Sequence, residues 1–253
     1  MTVKKTSLYT QQFRSGGVYT YIVADRDSKE CLIIDPVAGQ LDLIDILIEQ
    51  QDLTVKYAID THTHIDHYTG LGETKQEWDA TIIGYEKQLS CRCDKFLKND
   101  DSIFLGNCEL KVKYIGGHTK DSVVLVGNGM VFTGDTLLIN KTGRTAPNIS
   151  DIKDMYYGIQ TKIMTLPEKT IVYPGHDYDN LLFSSVGLQR KDNAEIAMSE
   201  EQFIEFKMAQ QYISDDKLVK QIVSFNLSDR IDAPEVYNVP VACCNIAKRP
   251  DGI

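Results

Sequence analysis

The stretch Thr61-His62-Thr63-His64-Ile65-Asp66-His67 constrains this chain more than any other. It follows an apolar, strand-like run (Val55, Tyr57, Ala58, Ile59) and passes into Tyr68, Thr69 and Gly70, so a strand gives way to a loop here. Three imidazoles and one carboxylate fall within six positions. In extended backbone, residues two apart point the same way. His62, His64 and Asp66 can therefore share one side, and His67 joins them only if the backbone bends. A lone histidine is usually structural, but an H-x-H-x-D-H run has the donors to hold one metal ion, or two sharing the run. The chain has five histidines in all, and three of them are here.

The other two stand in similar places. Val18 to Val23 and Cys31 to Ile34 read as strands, the second stopped by Asp35-Pro36 because proline cannot donate to a ladder. Leu41 to Leu53 reads as an amphipathic helix through Leu41, Ile44, Leu47 and Ile48. Thr81 to Gly84 and Glu109 to Ile115 read as strands, the latter ending at Gly116-Gly117-His118. Val123 to Val126 and Met130 to Thr133 flank Gly127-Asn128-Gly129, a hairpin signal, and the second ends at Gly134-Asp135. Ser150 or Asp151 can cap a helix reaching about Leu166. Thr170 to Tyr173 reads as a strand closing with Pro174-Gly175-His176. Every histidine thus lies in a polar, strand-terminal loop. His62, His64, His67, His118, His176 and Asp135 are expected to surround one cavity.

From Phe183 the pattern turns helical. Ser199 to Gln202 is a capping box ahead of Phe203, Phe206, Ala209 and Ile213, and Lys217 to Phe225 reads as a further helix with Leu218, Ile222 and Phe225 inward. The last 25 residues have little periodicity and are expected to wrap the surface. At 253 residues the chain suits one large domain or two small ones. A formal net charge of -9 argues against nucleic-acid binding, which needs a basic surface. No apolar run approaches the roughly 18 residues that span a bilayer. No secretory signal is visible in the first residues, so a cytoplasmic location with reduced thiols is expected for the six cysteines. Cys91-Arg92-Cys93 and Cys243-Cys244 lack zinc-ribbon spacing. A homodimer is compatible with the sequence.

In order, H-x-H-x-D-H, G-H-T, G-D-T and P-G-H-D resemble the metallo-β-lactamase superfamily over about residues 10 to 195. The resemblance implies an α+β, four-layer αββα sandwich, here residues 1–182, with a helical C-terminal extension over 183–253 packed on it. It implies one metal site from His62, His64 and His118, a second from Asp66, His67 and His176, and Asp135 able to bridge them. Within the superfamily the chain is most similar to the persulfide dioxygenases, through Tyr19 to Pro36, T-H-T-H-I-D-H-Y-T-G, F-T-G-D-T-L-L-I-N-K-T-G-R-T and Tyr173 to Tyr178. That likeness implies a single Fe(II) on His62, His118 and Asp135, oxidising a thiol persulfide such as glutathione persulfide with dioxygen to sulfite and thiol. It makes Tyr178 and Asp66 candidate catalytic groups and Arg144, Tyr178 and Arg190 candidate substrate contacts. The chain departs from the family at Ala146-Pro147 and at Asn193-Ala194-Glu195. The alternative is a hydrolase of glyoxalase II type, with two divalent ions (zinc, iron or manganese) and a thioester substrate.

Overall fold

The computed structural model describes residues 7–88, 90, 92–147, 149–177, 181–210 and 217–234. Six strands, β1 (Leu8–Ser15), β2 (Val18–Asp25), β3 (Glu30–Ile34), β4 (Thr54–Ile59), β5 (Thr81–Tyr85) and β6 (Lys95–Leu97), form one sheet in that order. β1 to β3 pair antiparallel and β3 to β6 parallel. Next come β7 (Ser102–Leu105), β8 (Cys108–Tyr114), β9 (Val123–Gly127), β10 (Met130–Gly134), the short hairpin β11 (Leu137–Leu138) and β12 (Lys141–Thr142), β13 (Ile171–Pro174) and β14 (Ser184–Ser185). The second sheet runs β14-β13-β10-β9-β8-β7. The helices are α1 (Asp42–Gln51), α2 (Leu71–Trp78), α3 (Ile152–Gly158), α4 (Val186–Asp192), α5 (Glu200–Ala209) and α6 (Lys217–Asn226). A π-helical turn, Ile159–Ile163, extends α3.

Side-chain alternation on β2 shows how the layers are built. Tyr21 and Val23 face Leu110, Val112, Leu125 and Phe132 of the second sheet, while Ile22 and Ala24 face Ile44, Ile48 and Leu71 of α1 and α2. The second sheet does the same with Val131 and Val172, which pack outward on Met155, Ile159 and Phe203. Two sheets face to face with a helical layer outside each give a four-layer αββα sandwich, the architecture that the resemblance implies. Burying each large apolar side chain contributes about 1.5–3 kcal/mol. A smaller cluster joins Ile222 and Phe225 of α6 to Ala38 and Tyr68, beside the histidine-rich loop.

Some elements carry only a weak apolar signal in the sequence. β1 pairs with β2 along its whole length, from Leu8↔Asp25 to Ser15↔Val18. It is an edge strand whose apolar residues, Leu8 on the inter-sheet core and Tyr9 and Phe13 on the outer one, stand among polar ones, so its pattern is not that of a core strand. α2 has only Leu71 and Trp78 as large apolar residues. Ser184–Ser185 is a two-residue strand where helix was expected, and Ser185 then caps α4 by accepting from Leu188 N at 3.2 Å. On α5, the capping box at Ser199 and Gln202 is present. Phe203 is buried there as expected, but Phe206 is half-buried, Ala209 exposed and Lys207 buried. The lysine goes in because Glu195 waits for it, its Oε2 2.9 Å from Lys207 Nζ. Ile213 and all but the start of the last 25 residues lie outside the described residues, as do Cys91, Cys243 and Cys244. Cys31, Cys93 and Cys108 are free thiols. Burial pushes Cys31 and Cys93 up to about 12, which makes them poor nucleophiles near neutrality.

Candidate metal centre

Four strand ends deliver the donors. β4 stops at Ile59 and the following loop carries the H-x-H-x-D-H run. β8 and β10 each run antiparallel to β9, and β13 runs parallel to β10. Their C-terminal ends therefore share one edge, and His118, Asp135 and His176 follow them. Main-chain bonds tie the two sheets there: Val123 N donates to Thr61 O at 2.9 Å and Tyr19 N to Gly175 O at 2.8 Å. The β10–β13 register shifts between Phe132 and Gly134, a bulge that redirects the chain just before Asp135. Gly134 has φ +47, and a Cβ there would lie 2.3 Å from Thr61 Oγ1. A Cβ on Gly143 would lie 1.7 Å from the Asp135 carbonyl oxygen, so backbone packs against backbone beneath the aspartate.

Hydrogen bonds set which ring nitrogen each histidine offers. His118 Nδ1 is 2.8 Å from the Arg144 carbonyl oxygen, which only accepts, so Nδ1 carries the proton and Nε2 a lone pair. Thr61 Oγ1 donates to Asp35 Oδ2 at 2.9 Å and therefore accepts from His62 Nδ1, also 2.9 Å away, again freeing Nε2. One donor atom each from His62, His118 and Asp135 lie within 4.8 Å of one another, and so do those of His64, Asp66 and His67. His64 Nδ1 and His67 Nε2 are buried without a hydrogen-bond partner, as expected of atoms that face a cation. His67 reaches its neighbours because the loop bends; its ring centroid is 4.2 Å from that of His64. His176 lies between the sets, with Nδ1 2.6 Å from Asp135 Oδ1 and Nε2 2.8 Å from Asp66 Oδ2. These donors fit a metal.

A third convergence, Asp35 with Asp60 and His64, has a different character. Asp35 already accepts from Thr61 N at 2.6 Å and from Thr61 Oγ1, and Asp60 accepts from Thr69 Oγ1 at 3.1 Å. This group orients His64 from behind through its Nε2, 3.3 Å from Asp35 Oδ1. Two further anchors hold the loop. Asp121 accepts from Thr63 N at 3.1 Å and from Thr63 Oγ1 at 2.6 Å. Asn226 of α6 donates through Nδ2 to the carbonyls of His64 (3.0 Å) and His67 (2.9 Å), while its Oδ1 accepts from Thr69 N at 2.9 Å. Sequence reasoning missed all of these except Asp35, which it read only as a strand stop.

Burial holds His62, His67 and His118 below the ordinary imidazole value, which favours the neutral form a metal needs. Burial works the same way on His64, but the Asp35 hydrogen bond and the Asp35, Asp60 and Asp66 charges overcome it and hold the ring at about 9. On His176 the Asp135 and Asp66 carboxylates likewise outweigh burial and raise it well above the usual value. Burial opposes ionisation of Asp66 and Asp135, yet the surrounding imidazoles keep both below the carboxylate range. Burial pushes Asp60 up to about 7.

A narrow pocket opens beside Asp66, His118 and Asp135, with Arg144, Ile65 and Ile149 among its walls. Arg144 is brought to this pocket. The segment leading to it is clamped from α5 and from the connection before it: Lys207 Nζ donates to Gly143 O at 3.1 Å, and Glu195 Oε2 accepts from Thr142 N at 3.0 Å. Arg190, expected at the substrate, is engaged elsewhere. Its guanidinium donates to the carbonyls of Met164 and Leu166 and faces Glu168 at 3.7 Å. Arginine at that position is explained by the turn it closes. Tyr178 lies outside the described residues.

Residues 14–90 and 92–176 match the metallo-β-lactamase superfamily. The mitochondrial persulfide dioxygenase ETHE1 of Mus musculus is 36% identical over 188 residues, 74% of either chain. A hydroxyacylglutathione hydrolase of Psychromonas ingrahamii is 32% identical over 170 residues, 66% of this chain and 64% of that one. The crystal structure of ETHE1 from Myxococcus xanthus superposes with a TM-score of 0.81 at 30% identity, covering 86% of this chain and 97% of that one.

Proposed function

Since the chain belongs to the metallo-β-lactamase superfamily, we propose that it is a non-haem iron persulfide dioxygenase, acting on glutathione persulfide or a similar small thiol persulfide. The observation that carries the reading is the convergence of His62 Nε2, His118 Nε2 and an Asp135 oxygen. Two histidines and one carboxylate hold an Fe(II) and leave about three positions open. Iron held there would supply open positions and a path for electrons from the sulfur to dioxygen. Overall, R–S–SH, dioxygen and water give R–SH, sulfite and two protons. The sulfur–sulfur bond breaks, the terminal sulfur is oxidised and dioxygen is reduced.

The chain's own residues bind, orient and shield. The Arg144 guanidinium suits bidentate pairing with a substrate carboxylate. Ile65, Ala146 and Ile149 give the pocket an apolar wall that excludes water. Asp66, His176 and Asp135 form a hydrogen-bonded chain that holds a proton next to the donors. Tyr178, two residues after His176, is assigned to orienting the ligand.

The second reading, a two-metal thioester hydrolase, draws on the seven-donor set and on the likeness to the hydroxyacylglutathione hydrolase. Protein prepared without oxygen separates the two. Metal analysis should give about one iron per chain, and an oxygen electrode should record uptake with glutathione persulfide, matched by sulfite. Two metals per chain, thioester hydrolysis and no oxygen uptake would replace the first reading by the second.

A further inference from the structure

The helical extension reaches the metal centre through one buried ion pair. Lys207 of α5 is buried, yet each of its three ammonium protons has a partner. The partners are Glu195 Oε2 at 2.9 Å, the Gly143 carbonyl at 3.1 Å and the Thr142 carbonyl at 3.3 Å. The same Glu195 oxygen accepts from Thr142 N at 3.0 Å and from Thr142 Oγ1 at 2.5 Å. The Phe203 and Phe206 rings flank the ammonium, with centroids 5.6 and 5.5 Å away. Behind the pair stand two more buried side chains of the extension. Gln189 Oε1 accepts from Asn140 N at 3.2 Å and from Asn193 Nδ2 at 2.9 Å, and Asn193 Oδ1 accepts from Glu195 N at 3.1 Å. The hairpin β11–β12 and the glycine after it are thus gripped by their main chain, at Asn140, Thr142 and Gly143.

The gripped segment stands directly behind two metal donors. The Arg144 carbonyl accepts from His118 Nδ1 at 2.8 Å and so sets which nitrogen of that ring faces the metal. A Cβ on Gly143 would lie 1.7 Å from the Asp135 carbonyl oxygen and 3.2 Å from His118 Nδ1, so the Gly143 main chain packs against both residues. Gly143 N also donates to the carbonyl of Thr136, the neighbour of Asp135, at 3.3 Å. A buried ion pair adds little stability over apolar side chains of the same volume. What this one adds is direction, because the ammonium fixes two successive carbonyls and the carboxylate fixes the amide of Thr142. Glu195 belongs to the Asn193-Ala194-Glu195 segment, where the chain departs from the family pattern. The acid of the pair is therefore not part of that pattern.

We propose that Glu195 and Lys207 are positioning residues for the metal centre. Through the main chain of Thr142 to Arg144 they fix the carbonyl behind His118 and the backbone beneath Asp135. The inference rests on His118 and Asp135 being metal ligands, as in the proposed function. It does not depend on the reaction performed there, since both residues serve the one-metal and the two-metal reading. It gives α5 a part in holding the metal as well as in covering the second sheet.

Metal affinity tests this without turnover. The full chain loaded with cobalt(II) alone is titrated with a chelator, and its visible absorption reads both the affinity and the geometry of the donors. K207M keeps most of the side-chain volume and removes the three hydrogen bonds. It should lose about 10- to 100-fold in cobalt affinity, the range for groups that support metal ligands from behind, with a changed absorption envelope. K207M/E195Q leaves no lone charge buried, so it should fold even where K207M does not, and it should show the same loss. Circular dichroism checks the fold of each. Ser199→Ala weakens α5 at its N-cap without touching the gripped segment and should leave affinity and spectrum unchanged, which separates positioning from lost stability. Wild-type affinity and spectrum in K207M/E195Q overturn the inference, and so does an equal loss in Ser199→Ala; either result leaves the proposed function standing. A wild type that holds no cobalt overturns the metal centre itself, and the proposed function with it.

Discussion

The two sheets contribute to the centre in opposite ways. The first supplies four donors from one loop, His62 to His67, within six residues. The second supplies three, each alone at the end of a different strand, with His176 41 positions after Asp135. The local set is easy to see, yet its conformation depends on distant partners: Asp35, Asp121 and Asn226 bind its main chain. The dispersed set is individually inconspicuous, yet sheet register and the bulge before Asp135 already place it. A clustered motif needs external anchors, whereas a strand end inherits its position from the ladder.

Breaking one donor of each kind gives the largest expected contrast. His118→Ala should take metal content and oxygen uptake to background. Asp66→Asn, which keeps shape but not charge, should retain about one iron per chain and lose only about 10- to 100-fold in activity, because in the one-metal reading Asp66 contacts His176 rather than the iron. Metal analysis with an oxygen electrode reads both. Wild type holding two metals, with Asp66→Asn losing one along with all activity, would reverse the assignment.

A smaller effect sharpens the role of the anchors. Asn226→Ala leaves the carbonyls of His64 and His67 and the N–H of Thr69 without their buried partner. Denaturation should show a loss of about 2–4 kcal/mol, with weaker metal binding alongside. A stability loss with unchanged metal affinity would reduce Asn226 to a packing residue. The smallest change is a control remote from both donor sets. Ser199→Ala removes the N-cap of α5 and should cost about 1 kcal/mol, lowering Tm by about 2–4 °C without moving the metal affinity.

Much of the site was readable because strand termini announce themselves. Gly116-Gly117, Gly134 and Pro174-Gly175 end apolar runs immediately before His118, Asp135 and His176. The expected helix at Leu41 to Leu53 also stands at Asp42–Gln51, closed by Asp52 with left-handed backbone. What stayed hidden had no one-dimensional signature. β1 is largely polar because an edge strand pairs by main chain on one side and packs only a few side chains, Leu8, Tyr9 and Phe13. Lys207 lies under the Arg144 segment, 3% exposed, because Glu195 neutralises it across a turn. Nothing in a helical pattern marks a lysine for burial. Arg190 shows the reverse: a charge conspicuous in sequence whose guanidinium is engaged by the carbonyls of Met164 and Leu166.

The sequence by itself determined the donor inventory and its order along the chain, because short-range pattern decides which residues end strands and which stand beside glycine. Only the tertiary structure decided which donors share a cavity and which nitrogen each imidazole turns toward it. Those choices belong to the Arg144 carbonyl behind His118, the Thr61 hydroxyl behind His62 and the Asp35 carboxylate behind His64. A hydrogen bond acts over about 3 Å, and two of these three partners come from 26 and 29 residues away along the chain.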